Sequence, residues 1–331
     1  MTATAAMLCR DLKQQITWGA DDPFTGIAGY LTTDWAAEPK LDGCRAELVI
    51  GAERWTPAQS APSATRFGGS RSASFPALAS IASADLAGTV LDGEFLAPRR
   101  GPGGSLLNAS AGLFGSGPAH AARMQAMYGP AEFHVFDVTA IANADVTRLS
   151  YAERRRHLEV IAEWIGLAYP AAGVRLVPQL PATTETILQV LAGGAEGVVL
   201  KRLAGRYRPG DRSWDWVKVK RFSTVDCFLT GGYKPGKNSR VGTVGAVEIG
   251  VVTADGGVLV IGHCAVPPAW AAAVTAADGS LRPEMTGTVI EVIAQGIGVN
   301  GLLRHPHLGR LRPDKLAADC DVDQLAGIPR V

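Results

Sequence analysis

After Phe222 the chain turns into short β-branched runs broken by glycine: Val225 to Tyr233, Gly242 to Val252, Val258 to Cys264 and Thr288 to Ala294. Val, Ile and Thr suit a pleated, half-buried surface, and glycine supplies the tight turns between such runs. One helical stretch fits among them, Pro268 to Ala276. Strands in this number with one interposed helix, in roughly 100 residues, suit a small β-barrel of the OB type.

Ahead of that point the pattern is mixed. Strand-like runs stand at Arg45 to Ile50, Thr89 to Leu96, Glu132 to Thr139, Gly197 to Lys201 and Trp214 to Lys220. Helical candidates stand at Phe75 to Ile81, Ser150 to Ile165 and Thr183 to Ala192. Ser150 with Glu153 three residues later reads as a capping box. Residues 1–37 read as a short lead-in with one helical piece near Ala5 to Gln15. Strands and helices separated in this way give an α+β fold. The 331 residues suit two domains. The change of character divides them at residues 1–222 and 223–331.

Hydrophobic residues make up 47% of the chain, enough for a sizeable core. No apolar run reaches the roughly 18 residues of a membrane span, and no leader pattern is visible at the start, so no membrane partner is expected. The five cysteines include no CxxC pair, which argues against a zinc knuckle and suits reduced thiols in a cytoplasm. The net charge is only +1, yet Lys201 to Arg240 carries eleven Lys and Arg against three Asp. A basic block in a near-neutral chain fits either a phosphate-binding surface or a solvated face.

The segment Glu38-Pro39-Lys40-Leu41-Asp42-Gly43-Cys44-Arg45 stands just before a strand. A lysine beside other cations, or partly desolvated, loses its proton more readily and can attack phosphorus. Taken alone, the segment fits a surface turn better than a reactive site. Lys218 and Lys220, two apart on a strand, point to one face. Glu94 and Glu196 stand at strand ends and offer oxygen ligands of the kind Mg²⁺ prefers. Phe136 reads equally as a stacking ring or a core residue.

Six segments in order carry a resemblance: Lys40-Leu41-Asp42-Gly43, Leu91-Asp92-Gly93-Glu94, Phe133 to Val138, Glu196 to Lys201, Trp216 to Lys220 and Arg310 to Lys315. Together they resemble the motif set of covalent nucleotidyltransferases and, within it, of ATP-dependent DNA ligases. The resemblance implies a nucleotidyltransferase domain of antiparallel sheets and helices followed by an OB-fold barrel. It implies Lys40 as the AMP-carrying nucleophile, with Asp42 beside it and Arg45 on the ribose. Glu38 would read the adenine amino group and Phe136 would stack on the ring. Lys218 and Lys220 would contact the α-phosphate, and Lys201 would join the ATP site. Glu94 and Glu196 would hold Mg²⁺ or Mn²⁺. Arg312 and Lys315, on the barrel, would meet the pyrophosphate of ATP. Arg66, nine positions before Phe75-Pro76, matches the arginine that contacts the 5′-phosphate of a nick, with Arg71 as its rival.

The implied substrates are ATP and nicked duplex DNA. A monomer is expected, cytoplasmic and nucleoid-associated in a bacterial or phage-infected cell, with repair or replication proteins as partners. Capping enzymes have fourth and fifth motifs closer to DGL and LLKWK, and NAD-dependent ligases carry a cysteine zinc module. An RNA ligase or mRNA guanylyltransferase is the alternative inside the superfamily. An inactive nucleic-acid-binding OB protein is the alternative outside it. Only 39 residues precede Lys40, too few for the N-terminal DNA-binding domain of large ligases. The basic turn Lys234 to Arg240 is a candidate for reaching the DNA backbone.

Overall fold

The structure is a computed structural model that describes residues 6–12, 16, 23–50, 55–58, 74–79, 81, 83–97, 106–220, 222–298, 300–328 and 330. It divides into two units, Met1–Lys220 and Arg221–Val331. The strands of the first unit are β1 (Leu8–Asp11), β2 (Trp35–Lys40), β3 (Cys44–Ile50), β4 (Trp55–Ala58), β5 (Thr89–Leu96), β6 (Glu132–Ile141), β7 (Ala144–Asp145), β8 (Val174–Leu176), β9 (Leu180–Pro181), β10 (Gly197–Arg202) and β11 (Arg212–Lys220). Its helices are α1 (Pro76–Ala79), α2 (Leu106–Gly115), α3 (Pro118–Tyr128), α4 (Tyr151–Ala168) and α5 (Thr184–Ala192).

These strands make two sheets. One has the order β1-β11-β10-β2-β9, the other β4-β3-β5-β6-β7 with β8 parallel on β6. Side chains alternate along a strand, so each sheet buries one face and offers the other. In the first sheet Ala37, Val198, Leu200, Val217 and Val219 pack with Leu12, Ile27, Ile187 and Leu191. In the second, Leu48, Phe95, Phe133 and Val135 pack with Leu113 and Phe114 of α2 and with Leu158, Ile161 and Ile165 of α4. The remaining faces carry charged residues together with Phe136 and Trp216.

Two local devices aim side chains toward those faces. Between β5 and β6, Asp92 pairs with Asp137 but Gly93 pairs with Val135, so Phe136 is the extra residue of a bulge. A bulge redirects the side chain it adds. Helix α4 begins at the expected capping box: Glu153 N–H donates to Ser150 Oγ at 3.3 Å, and Ser150 N–H donates to the Glu153 carboxylate at 2.8 Å. One turn in, Arg154 grips Asp137 through Nε and Nη2, at 2.7 and 2.9 Å, with both side chains fully buried. That pair ties α4 to β6 directly after Phe136.

The second unit contains β12 (Ser223–Pro235), β13 (Val244–Val252), β14 (Val258–Ala265), α6 (Ala271–Val274), β15 (Val289–Ala294), β16 (Gly296–Ile297), β17 (Leu303–Arg304) and β18 (His307–Leu311). A closed barrel runs β12-β13-β14-β18-β15, sealed by a parallel contact between β14 and β18. The helix lies between the third and fourth barrel strands. This is the OB-type barrel expected from the glycine-punctuated runs. Among the described residues no helix is long and apolar enough to cross a membrane.

Near the start of the chain the structure departs from the expected helix. Leu8–Asp11 is a strand, not part of a helix, and pairs in parallel with β11. Met7 packs on Tyr207 and Trp216, and Leu12 enters the core of the first sheet. Pairing with a distant strand overrides a weak local helical preference. Strand β2 begins inside the expected lead-in, so Lys40 ends one strand as well as preceding another. Helices α2 and α3 leave no mark in the sequence: their alanine- and glycine-rich segments carry little amphipathic period.

Removing one partner of a fully buried ion pair leaves an uncompensated charge. Arg154→Leu is expected to lower stability by about 3–5 kcal/mol, read as a shift in the urea unfolding midpoint. A shift no larger than that of an exposed arginine, such as Arg156→Leu, would contradict the assignment.

Candidate active site

A cavity of about 300 Å³ opens in the first unit. The first sheet contributes Glu38, Lys40, Val199, Lys201 and Trp216, and the second contributes Arg45, Glu94 and Phe136. Cys9 of β1 adds to the wall. The volume is at the lower end for a small-molecule site.

Strand register fixes the first-sheet wall as rows. Across β2, β10 and β11 the pairs align Lys40, Gly197 and Lys220 in one row and Glu38, Val199 and Lys218 in the next. The third row is Ala36, Lys201 and Trp216. Residues directly opposite in antiparallel strands share a face. The face that carries Trp216 therefore also carries Lys218 and Lys220, as their spacing implied.

At one end the cavity is lined by a buried ionic knot. Lys201 Nζ meets Glu38 Oε2 at 2.7 Å and donates to the Phe136 carbonyl at 2.7 Å. Tyr151 OH donates to Glu38 Oε1, and Arg155 Nη1 stands 3.6 Å from the same oxygen. The Lys201 ammonium lies 4.4 to 4.8 Å from the ring centres of Trp216, Phe136 and Tyr151. Cation–π attraction adds to the ion pair at such distances. Burial pushes the Glu38 carboxyl above its ordinary range, against the pull of Lys201.

At the other end Glu196 is shared. Its Oε2 bonds Lys40 Nζ and its Oε1 takes Lys220 Nζ at 2.5 Å. Gly197 between them leaves the row open, and a Cβ there would stand 2.2 Å from the Val219 carbonyl. Burial lowers the Lys40 pKa, but Glu196, Glu94 and Asp42 outweigh it, and the result is raised. Lys220 ends lowered, because burial and the nearby Lys40 and Lys218 charges exceed the help from Glu196. Glu196 itself is lowered: both ammonium groups outweigh its burial. The expected depression of the nucleophile therefore falls on Lys220, and Lys40 is held protonated.

On the second sheet Arg45 forks onto Asp92, Nε to Oδ1 at 3.0 Å and Nη2 to Oδ2 at 2.6 Å, while Nη1 donates to the Met7 carbonyl at 2.6 Å. Tyr207 OH donates to Asp92 Oδ2 at 2.7 Å, closing the network. Glu94, opposite Arg45 in register, accepts the Gly43 N–H at 3.1 Å. Burial raises the Glu94 pKa to about 7, opposed by Lys40, Arg45 and the Gly43 N–H. Among the described residues no three metal-ligating side chains converge. Glu94 and Glu196, close enough for their charges to interact, still fit a hard cation that fills its shell with water and phosphate oxygens.

Of the residues singled out in the sequence, Glu38, Lys40, Asp42, Arg45, Glu94, Phe136, Glu196, Lys201, Lys218 and Lys220 belong to the first unit. Asp42 lies in the turn after β2 and adds to the negative field on Lys40. Lys218 pairs with Asp11 at 3.3 Å. Arg312 and Lys315 belong to the second unit, where both bind Asp226, at 2.9 and 2.6 Å. Arg66 and Arg71 lie outside the described residues. Sequence reasoning missed Tyr151, Arg155, Tyr207, Asp92, Asp11 and the wall role of Trp216. Asp92 and Trp216 stood inside quoted segments, whereas the others carry no local pattern.

The family described as ATP dependent DNA ligase domain matches residues 23–220. The multifunctional non-homologous end joining protein LigD of Mycolicibacterium smegmatis is 31% identical over 235 residues, covering 70% of this chain and 27% of that protein. The chain thus spans about a quarter of that relative's length. DNA ligase C1 of the same organism is 29% identical over 321 residues, 88% of both chains. Among solved structures, a Lig E DNA ligase aligns with a TM-score of 0.62 at 19% identity, covering 94% of this chain and 100% of its own. A structure named Pmar-Lig_PreS3 aligns at 0.65 and 16% identity, covering 93% and 68%. These two likenesses concern the fold.

The Glu94 shift sets a pH dependence. Folded Glu94 keeps its proton up to about pH 7, whereas the unfolded chain gives it up near 4.5. Between those values the folded state binds more protons, so stability falls as pH rises. The urea midpoint of the wild type is expected to drop more between pH 5 and pH 7.5 than that of Glu94→Gln. Parallel curves for the two proteins would contradict the assignment.

Proposed function

This chain belongs to the ATP-dependent DNA ligase domain family, and on that premise we propose that it is an ATP-dependent DNA ligase that seals nicks in duplex DNA through an adenylate on Lys40. The observation that carries the reading is the pairing of Lys40 and Lys220 on Glu196 at one end of a cavity whose other end is the Glu38–Lys201 knot among aromatic rings. A nucleotide needs both ends: cations for phosphate, rings and fixed hydrogen-bonding groups for the base.

Phosphoryl transfer asks mainly for positioning and charge neutralisation. Lys40 Nζ, once it has lost a proton, attacks the α-phosphorus of ATP, the bond to the bridging oxygen breaks, and pyrophosphate leaves. Glu196 is what keeps the proton on Lys40, so weakening that contact lets burial lower its pKa. Lys220 and Lys218 neutralise the α-phosphate, Arg45 takes the ribose, Phe136 stacks on adenine, and the Glu38–Lys201 knot reads the base edge. Arg312 and Lys315 serve the pyrophosphate. The DNA 5′-phosphate then attacks the adenylate phosphorus and Lys40 leaves with a proton. The 3′-hydroxyl next attacks the activated phosphate and AMP departs. Mg²⁺ or Mn²⁺ bound by Glu94 and Glu196 would supply further neutralisation of phosphate charge. Lys234, exposed at the end of β12, and Lys237, exposed in the connection from β12 to β13, serve the DNA backbone.

Incubation with α-labelled ATP tests the reading. Wild-type protein is expected to take up label, Lys40→Ala to take up none, and Lys220→Met to react about 100-fold more slowly. Labelled Lys40→Ala, or wild type that neither labels nor closes a nicked duplex, overturns it. Duplexes with DNA or RNA at each side of the nick identify the strand type.

A further inference from the structure

The cations of the site differ in how deeply their counter-ions are buried. The carboxylates bound to Arg45, Lys201 and the Lys40–Lys220 pair are Asp92, Glu38 and Glu196, with side chains 0%, 3% and 13% exposed. Lys218 is different. Its carboxylate is Asp11, 31% exposed and 3.3 Å away. Asp11 also has a different origin: it stands on β1, ahead of the segment 23–220 that matches the family.

Strand β1 is nonetheless part of the site. It pairs with β11, setting Asp11 opposite Lys218. Arg10 Nε donates to the Arg212 carbonyl and Arg212 Nη1 to the Cys9 carbonyl, at 3.1 and 2.6 Å. Its Cys9 lines the cavity, and the adjoining Met7 carbonyl receives Arg45. A partly exposed ion pair is worth little, and a nucleotide phosphate carries more charge than one carboxylate.

We propose that Asp11 is the exchangeable counter-ion of Lys218: it holds the ammonium on the cavity face of β11 and competes with nucleotide phosphate for it. This makes Asp11 a positioning residue that limits ATP affinity. The proposal rests on the reading of Lys218 as a phosphate contact, but it concerns binding and not sealing.

The test is calorimetric titration of the full chain with α,β-methylene ATP, whose bridging carbon prevents AMP transfer, at fixed low ionic strength. Asp11→Asn is expected to tighten Kd about 3- to 5-fold, and Asp11→Glu to stay near wild type. In a Lys218→Met background Asp11→Asn is expected to change nothing. Asp11→Ser carries the same expectation as Asp11→Asn if the latter fails to fold. Unchanged or weaker binding by the neutral variants overturns the proposal. So does equal tightening without Lys218, or no binding of the analogue by any variant. Nick sealing by wild type is scored separately. Tighter binding by Asp11→Asn in a protein that neither takes up label nor seals a nick would leave the counter-ion assignment standing and remove the ligase reading.

Discussion

Glu196 bonds two lysines from different strands, and the geometry of the site follows from that one carboxylate. Lys40 ends β2 and Lys220 ends β11, with β10 between them. Two side chains on alternate strands of a sheet stand well apart unless the strand between them offers no bulk. Gly197 meets that condition, and Glu196, immediately before it, reaches both ammonium groups. Any side chain at 197 would collide with the Val219 backbone. The same register then carries Glu38, Lys201 and Trp216 along the wall, so one alignment of three strands sets both ends of the cavity.

A site built from so many buried charges is costly unless each is compensated. The fold compensates them with carboxylates on neighbouring strands: Glu38 for Lys201, Asp92 for Arg45, Glu196 for Lys40 and Lys220. Phenol groups complete the two deepest pairs, Tyr151 on Glu38 and Tyr207 on Asp92. The consequence is a preorganised cavity in which the cations already stand in place, where they need little rearrangement to meet phosphate. The barrel repeats the device, with Arg312 and Lys315 held on Asp226.

The sequence was most legible where chemistry follows a local period. Alternation set Lys218 and Lys220 on one face, Ser150 and Glu153 announced a helix start, and glycine-broken runs announced the barrel. It was least legible where a partner arrives from far along the chain. Tyr151 reaches Glu38 across 113 positions and Tyr207 reaches Asp92 across 115, with no motif to mark either. Leu8 to Asp11 looked helical because nothing local reveals β11 as its partner. The raised pKa of Lys40 is hidden from the sequence for the same reason. Basic neighbours are visible in the sequence, whereas the bond to Glu196, 156 positions away, is visible only in the fold.

That bond is also the most direct point of test. The ε-carbon resonance of Lys40, assigned with Lys40→Arg, can be followed against pH in the nucleotide-free wild type and in Glu196→Gln. The wild-type resonance is expected to titrate above that of an ordinary lysine, and the Glu196→Gln resonance below it. A wild-type lysine that titrates early, or one whose midpoint ignores the loss of Glu196, would contradict the account.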